Sequence, residues 1–307
     1  MRKVCLNMVH ELARQDERVL YLGSDPGPGT LDAMRKEFPQ RHLIEGIAEA
    51  NVVGMAAGLA MEGFIPYVNT ISTFLTRRCF EQVAIDLCLH NLPVRLIGNG
   101  GGFVYAPLGP THTAIEDIAL MRSLPNMAVV VVTDAEEMAR MMPQTLNWPG
   151  PMYIRLAKGG DTVVSRPELG FTLGKPIVMA PPGDAVIFAC GVMVERALKV
   201  AANLAADGIA CGVVNLHTIK PLDETALVEL AAPARLVVTL EEHSRNGGLG
   251  SAVFETLQDN GVLRPGLRLG IPDKFTHHYG SQNALLAHYR LDADSVAADI
   301  RAALNRL

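Results

Sequence analysis

Short apolar runs recur along the first half of the chain, and longer stretches with helical spacing lie between them. Residues 19–23, 43–45, 64–68, 94–98, 128–132 and 152–155 read as buried strands. Residues 30–38, 48–61, 76–90 and 135–147 read as helices. Strand and helix in alternation predict a parallel sheet covered on both faces. Right-handed crossovers then restrict the topology to a doubly wound layer. The pattern breaks near Ser165, where Pro167, Pro176, Pro181 and Pro182 mix with Gly170, Gly174 and Gly183. A second alternation follows, with strands at 185–190, 211–215, 236–240 and 267–269 and helices at 192–207, 224–231, 251–260 and 292–307. The expected fold is α/β with two domains of similar size, each a mostly parallel sheet flanked by helices. Their bounds are 1–165 and 184–307, with a linker at 166–183.

Composition narrows the function classes. The chain has 307 residues, 49% of them hydrophobic, enough for substantial cores. A net charge of −5, without a dense Lys/Arg run, argues against nucleic acid or an anionic membrane surface as partner. Mean hydropathy is +0.20, yet no apolar run approaches the roughly 20 residues of a membrane span. Charges at Arg2, Lys3, Glu11, Arg14, Asp16, Glu17 and Arg18 rule out an apolar signal segment at the N-terminus. Five scattered cysteines without a CxxC pair argue against a zinc site or a disulfide framework and point to a reducing, cytoplasmic setting.

Residues 46–61 read GIAEANVVGMAAGLAM, with only apolar residues and glycine after Asn51. A helix apolar all round is buried all round. Its small residues admit other backbones closely, as in a subunit interface. Glu49 falls in its first turn. Such a carboxylate either complements the helix dipole, worth roughly 0.3–1 kcal/mol, or is a desolvated acid at a site.

The residues from Gly46 to Val68, GIAEANVVGMAAGLAMEGFIPYV, resemble the Gly-Ile-(Ala/Arg)-Glu segment of transketolases and deoxyxylulose-phosphate synthases. The resemblance implies that Glu49 bonds N1′ of the thiamine aminopyrimidine and acts as cofactor activator, driving the ring to the imino form that deprotonates C2. STFLTRRCFEQV, from Ser72, resembles the family segment whose aromatic packs on that ring, which implies cofactor contact by Phe74. Arg77, expected at the cofactor, and Arg78 open the following helix, facing the site's mouth or solvent. GGGFVYAPLGPTHTAIEDI, from Gly100, resembles the Gly-Pro-Thr-His loop and implies that His112 is a catalytic substrate contact. The family has Asp before that motif where this chain has Leu108, a departure that bears on donor specificity. Lys158, in YIRLAK, falls where the synthases place a phosphate-binding Arg; it either holds an anion as a point charge or is an ordinary solvated lysine. CGVVNLHTIKPLD and VTLEEHSRNGGLG resemble the transketolase C-terminal domain and also the beta subunits of 2-oxo acid dehydrogenases. Glu242 and His243 are expected in domain packing or a subunit interface.

The family holds thiamine diphosphate through Mg²⁺ and a Gly-Asp-Gly motif, and oxygen ligands suit that hard cation. This chain has no Gly-Asp-Gly and offers no metal ligand set of its own. The resemblance therefore implies a separate N-terminal diphosphate-binding subunit that supplies the Mg²⁺ ligands, and a homodimer of this chain within a heterotetramer. The expected activity is a transketolase-like transferase, active only with its partner, that moves a two-carbon ketol unit between sugars or sugar phosphates. The alternatives are a decarboxylating thiamine enzyme subunit, of the deoxyxylulose-phosphate synthase or 2-oxo acid dehydrogenase beta type, and a non-catalytic regulatory subunit.

Overall fold

The computed structural model describes residues 1–24 and 31–307. Its strands, in chain order, are β1 (Val19–Gly23), β2 (His42–Ile44), β3 (Ile65–Ile71), β4 (Arg95–Asn99), β5 (Ala128–Val131), β6 (Met152–Leu156), β7 (Ile177–Ala180), β8 (Ala185–Ala189), β9 (Cys211–Asn215), β10 (Thr218–Lys220), β11 (Leu236–Ser244) and β12 (Gly266–Ile271). Seven form one sheet in the order β10-β5-β6-β4-β3-β1-β2, and five form a second in the order β12-β11-β8-β9-β7. Both sheets are parallel except at one edge each, where β10 runs antiparallel to β5 and β7 antiparallel to β9. The central strands β1, β4, β6 and β8 are buried along their whole length. That burial explains why β1 and β8 read as unbroken apolar runs, while β4 and β6 each bury an arginine, Arg95 and Arg155.

Several features depart from the sequence expectation. Residues 76–90 are not one helix. They comprise the end of a short helix (Ser72–Thr76), a second (Phe80–Gln82) and a π-helical segment (Val83–Leu89). The break falls at Cys79, whose φ of −121° and ψ of 31° are not helical. The helix expected at 30–38 spans Asp32–Glu37, and residue 30 lies outside the described residues. An additional amphipathic helix, Arg2–Gln15, buries Cys5, Leu6, Val9 and Leu12 and packs on the Ala135–Thr145 helix. The segment 166–183, expected as linker, contains β7, a strand of the second sheet.

The halves of the chain are interlocked. β10, whose sequence lies between elements of the second sheet, pairs with β5 of the first through Thr218 and Val130. The His217 carbonyl accepts the Val131 N–H at 2.7 Å. One continuous apolar cluster includes Leu96 and Val129 of the first sheet, Val186 and Val214 of the second, and Ile219 of β10. Asn215 donates to Glu137 at 2.6 Å across the same boundary. Glu137 is fully buried, and burial pushes its carboxyl up to about 7.

Candidate functional site

Loops at the carboxyl ends of β2, β3 and β4 carry Glu49, Phe74, Arg77, Arg78, Leu108 and His112, the usual location of ligand sites in open α/β sheets. The Glu49–Met61 helix follows β2, the Ser72–Thr76 helix follows β3 directly, and the glycine-rich stretch 100–113 follows β4. Glu49 is the first residue of its helix and has no side-chain cap before it. Its carboxylate therefore sits at the positive end of the helix dipole, yet it is only 2% exposed.

A buried carboxylate requires partners. Arg78 supplies one: its Nη1 lies 2.6 Å from Glu49 Oε2. The other oxygen, Oε1, is buried with no partner. The Arg78 guanidinium also stacks 4.2 Å from the centroid of the Phe74 ring. His112 meets the same ring edge-on at 5.4 Å, and its Nδ1 is 2.9 Å from Thr111 Oγ1. Glu49, Phe74, Arg78 and His112 therefore form one chain of contacts. Arg77 is held differently, by Glu116 at 3.1 Å and by the Thr111 carbonyl at 3.0 Å.

Beside this group opens a cavity of about 700 Å³ lined in part by Thr73, Phe74, Arg77, Arg78, Phe275 and His277. Thr73 is buried and its Oγ1 is unpartnered. One orphaned polar atom, Thr73 Oγ1, belongs to a residue lining this concave, partly apolar surface, and a second, Glu49 Oε1, belongs to the partner of Arg78, which also lines it, as at a ligand site. Phe275 and His277 were not legible as site residues, because they come from a loop after β12 with no local motif tying it to Glu49. The same loop brings Tyr279 against Gly109: a Cβ at Gly109 would fall 2.8 Å from the Tyr279 ring, and the glycine's φ of +80° adds to its requirement there. Leu108, next to Gly109, is 54% exposed. Neither Leu108 nor Lys158 lines the cavity. Lys158 is exposed just past the end of β6.

A buried polar network underlies the site. Asp117 Oδ2 accepts from Tyr153 Oη at 2.7 Å and Arg155 Nε at 2.8 Å. Arg155 Nη2 donates to the carbonyls of Ala114 at 3.1 Å and Glu242 at 2.9 Å. Burial disfavours the Arg155 cation, but Asp117 beside it and Glu242 hold its proton more firmly than usual. Glu242 accepts the Phe103 N–H at 2.9 Å, and His243 Nε2 lies 3.3 Å from the Ala119 N–H. Both side chains therefore serve packing between the two sheets' loops. Burial lowers His243 to about 4, so it is neutral and able to accept that bond. Among the described residues no group of three or more His, Cys, Asp or Glu side chains is placed to hold a metal ion.

Family models match most of the chain: the transketolase pyrimidine-binding domain over residues 1–160 and the transketolase C-terminal domain over residues 174–296. The 6-deoxy-6-sulfo-D-fructose transketolase subunit SqwH of Clostridium sp. (strain MSTE9) is 36% identical, over 90% of this chain and 85% of its own. An apulose-4-phosphate transketolase subunit of Phocaeicola vulgatus is 35% identical, over 96% of this chain and 94% of its own. The 1-deoxy-D-xylulose-5-phosphate synthase of Caldanaerobacter subterraneus subsp. tengcongensis is 39% identical over 94% of this chain but only 46% of its own, so the chain spans about half the length of that relative. Among solved structures, one titled as a split-gene transketolase, an inactive beta4 tetramer, matches with a TM-score of 0.91 at 37% identity, covering 99% of this chain and 98% of that one. A transketolase from Campylobacter jejuni shares the fold at a TM-score of 0.84 and 18% identity.

Proposed function

The chain belongs to the transketolase family, and we propose that it is the pyrimidine-binding and C-terminal subunit of a split, thiamine diphosphate-dependent transketolase that moves a two-carbon ketol unit between sugars or sugar phosphates. The observation that carries this reading is the buried Glu49 carboxylate, with one oxygen unpartnered, joined through Arg78 to Phe74, which lines the cavity.

That arrangement fits the aminopyrimidine of thiamine. Glu49 would accept the ring's N–H and hold the proton there, and Phe74 would pack on its face. Thiamine diphosphate, when bound, supplies a carbon nucleophile and an electron sink for breaking and making the ketol C–C bond. Around it, the burial of Glu49 keeps water from competing for the carboxylate, and the Glu49–Met61 helix fixes its position. His112, placed by the 100–113 stretch, would bond substrate hydroxyls. The diphosphate and its Mg²⁺ would be held by a separate subunit carrying Gly-Asp-Gly, in an assembly of two chains of each kind. The related split-gene chain, whose structure is titled an inactive tetramer of beta chains, supports dependence on such a partner. The five unpaired cysteines favour a reducing cytoplasm.

Expected behaviour follows. This chain alone shows no ketol transfer and weak or no retention of thiamine diphosphate. Adding the partner and Mg²⁺ restores both, measured by product formation and by calorimetric titration of the cofactor. Strong ketol transfer by the isolated chain would overturn the split-enzyme reading. The synthase relative supports a second reading, a decarboxylating ligase. Release of CO₂ from pyruvate by the assembled enzyme, without ketol transfer, would favour it.

Leu108 bears on substrate choice. Its side chain offers no hydrogen bond, so a donor hydroxyl pressed against it loses ~1–3 kcal/mol, or roughly 5- to 150-fold in discrimination. The preferred sugar is therefore expected to be deoxygenated, epimeric, branched or otherwise modified at the carbon facing this loop. Leu108→Asp should shift preference toward ordinary xylulose 5-phosphate in a kcat/KM panel. A wild-type enzyme that already prefers that substrate, unimproved by the substitution, would remove Leu108 from specificity.

A further inference from the structure

We propose that Arg78 is an internal stand-in for the cofactor's aminopyrimidine: it holds Glu49 and Phe74 in their cofactor-ready positions and must swing out before the ring can bind. The inference rests on the reading of Glu49 and Phe74 as the ring's contacts. It adds a role for a residue that the reading leaves unassigned.

The argument is one of shape and chemistry. The Arg78 guanidinium is flat and cationic, gives an N–H to Glu49 Oε2 at 2.6 Å, and lays its face over Phe74 at 4.2 Å. A protonated aminopyrimidine is also flat and cationic, and would give an N–H to the same carboxylate and a face to the same ring. The two groups therefore compete for one pair of contacts. Arg77, the adjacent cation, is committed to Glu116 and the Thr111 carbonyl and touches neither.

Two further features suit Arg78 to a replaceable partner. Glu49 is 2% exposed, whereas the Arg78 side chain is 45% exposed, so the arginine can leave into water while the carboxylate stays. Arg78 also lies between two short helices, with Cys79 out of helical geometry, so its backbone is not locked in a regular turn. Arg78 meanwhile prevents the cost of a buried, unpaired carboxylate in a chain without cofactor. Breaking a charge-assisted hydrogen bond and a cation–π contact before the ring seats is expected to weaken apparent cofactor affinity about 10- to 100-fold, as when only a fraction of molecules is competent to bind.

The test is calorimetric titration of thiamine diphosphate with Mg²⁺ into the assembled complex, comparing wild type with Arg78→Met and Arg78→Lys, alongside C2–H exchange of the bound cofactor in Glu49→Gln. The proposal expects Arg78→Met to bind the cofactor ~10-fold or more tightly and associate faster, with Arg78→Lys between. The exposed position of Arg78 favours folding of both variants, and circular dichroism checks it. Should Arg78→Met fail to assemble, Arg78→Lys carries the comparison. Unchanged or weakened binding in the arginine variants, with exchange still collapsing in Glu49→Gln, would overturn the stand-in role and leave the cofactor site intact. Normal exchange in Glu49→Gln would remove the cofactor site itself, and the stand-in with it.

Discussion

Glu49→Gln, assembled with the partner subunit and Mg²⁺, is expected to exchange the cofactor's C2 proton ~10²–10⁴-fold more slowly than wild type, the usual loss for a positioned acid–base group. Glutamine keeps the size of the side chain but cannot hold the proton as a carboxylate does. The substitution also removes a charge that is 2% exposed and bonded to Arg78, so the variant need not lose stability. Fold and function therefore separate: the thermal midpoint stays near wild type while exchange, followed by NMR in deuterated buffer, collapses. Unchanged exchange would return Glu49 to the role of a charge at a helix end.

The second large effect concerns stability. Arg155→Met should cost ~3–5 kcal/mol, the range for removing one member of a buried ion pair and stranding the other. Asp117 is fully buried and keeps only Tyr153 as a hydrogen-bond partner on Oδ2 once Arg155 is gone. Its Oδ1 already lacks a bond. The Glu242 carbonyl loses the Arg155 donor in the same substitution, and the Ala114 carbonyl keeps only the Gly102 N–H, loosening contact between the two sheets' loops. Urea unfolding checks this. A cost below ~1 kcal/mol would mean that water replaces the guanidinium.

Legibility in the sequence followed how local each signal was. β1 and β9 match their predicted spans because fully or nearly fully buried strands advertise themselves as continuous apolar runs. The Glu49 helix was legible for a similar reason, being apolar on every side. β7 was hidden among prolines and glycines, and β10 is three residues long, too short for any periodicity to register. Residues 76–90 have helical composition, yet tertiary context divides them into α and π segments. At the site, Glu49, Phe74 and His112 stood inside recognisable segments and come together in space. Choosing between two adjacent arginines was beyond the sequence, because the partner of Arg78, Glu49, lies 29 residues away. Phe275 and His277 reach the cavity from the other end of the chain, and only folding brings them there.

The antiparallel pairing of β10 with β5 bears on how the molecule can be engineered. Although the sequence reads as two modules joined by a proline-rich stretch, a cut placed in that stretch would strip β10 from the first module and leave β5 as a raw sheet edge. Val129 and Val131, whose backbone groups face β10, would then stand on that edge unpaired, the kind of surface that recruits strands from other molecules. The two pieces should accordingly behave as complementing fragments, recovering solubility when coexpressed and aggregating when made apart, rather than as portable domains. Graft or fusion designs that borrow the pyrimidine-binding half would need to carry residues 216–221 along as a tethered strand.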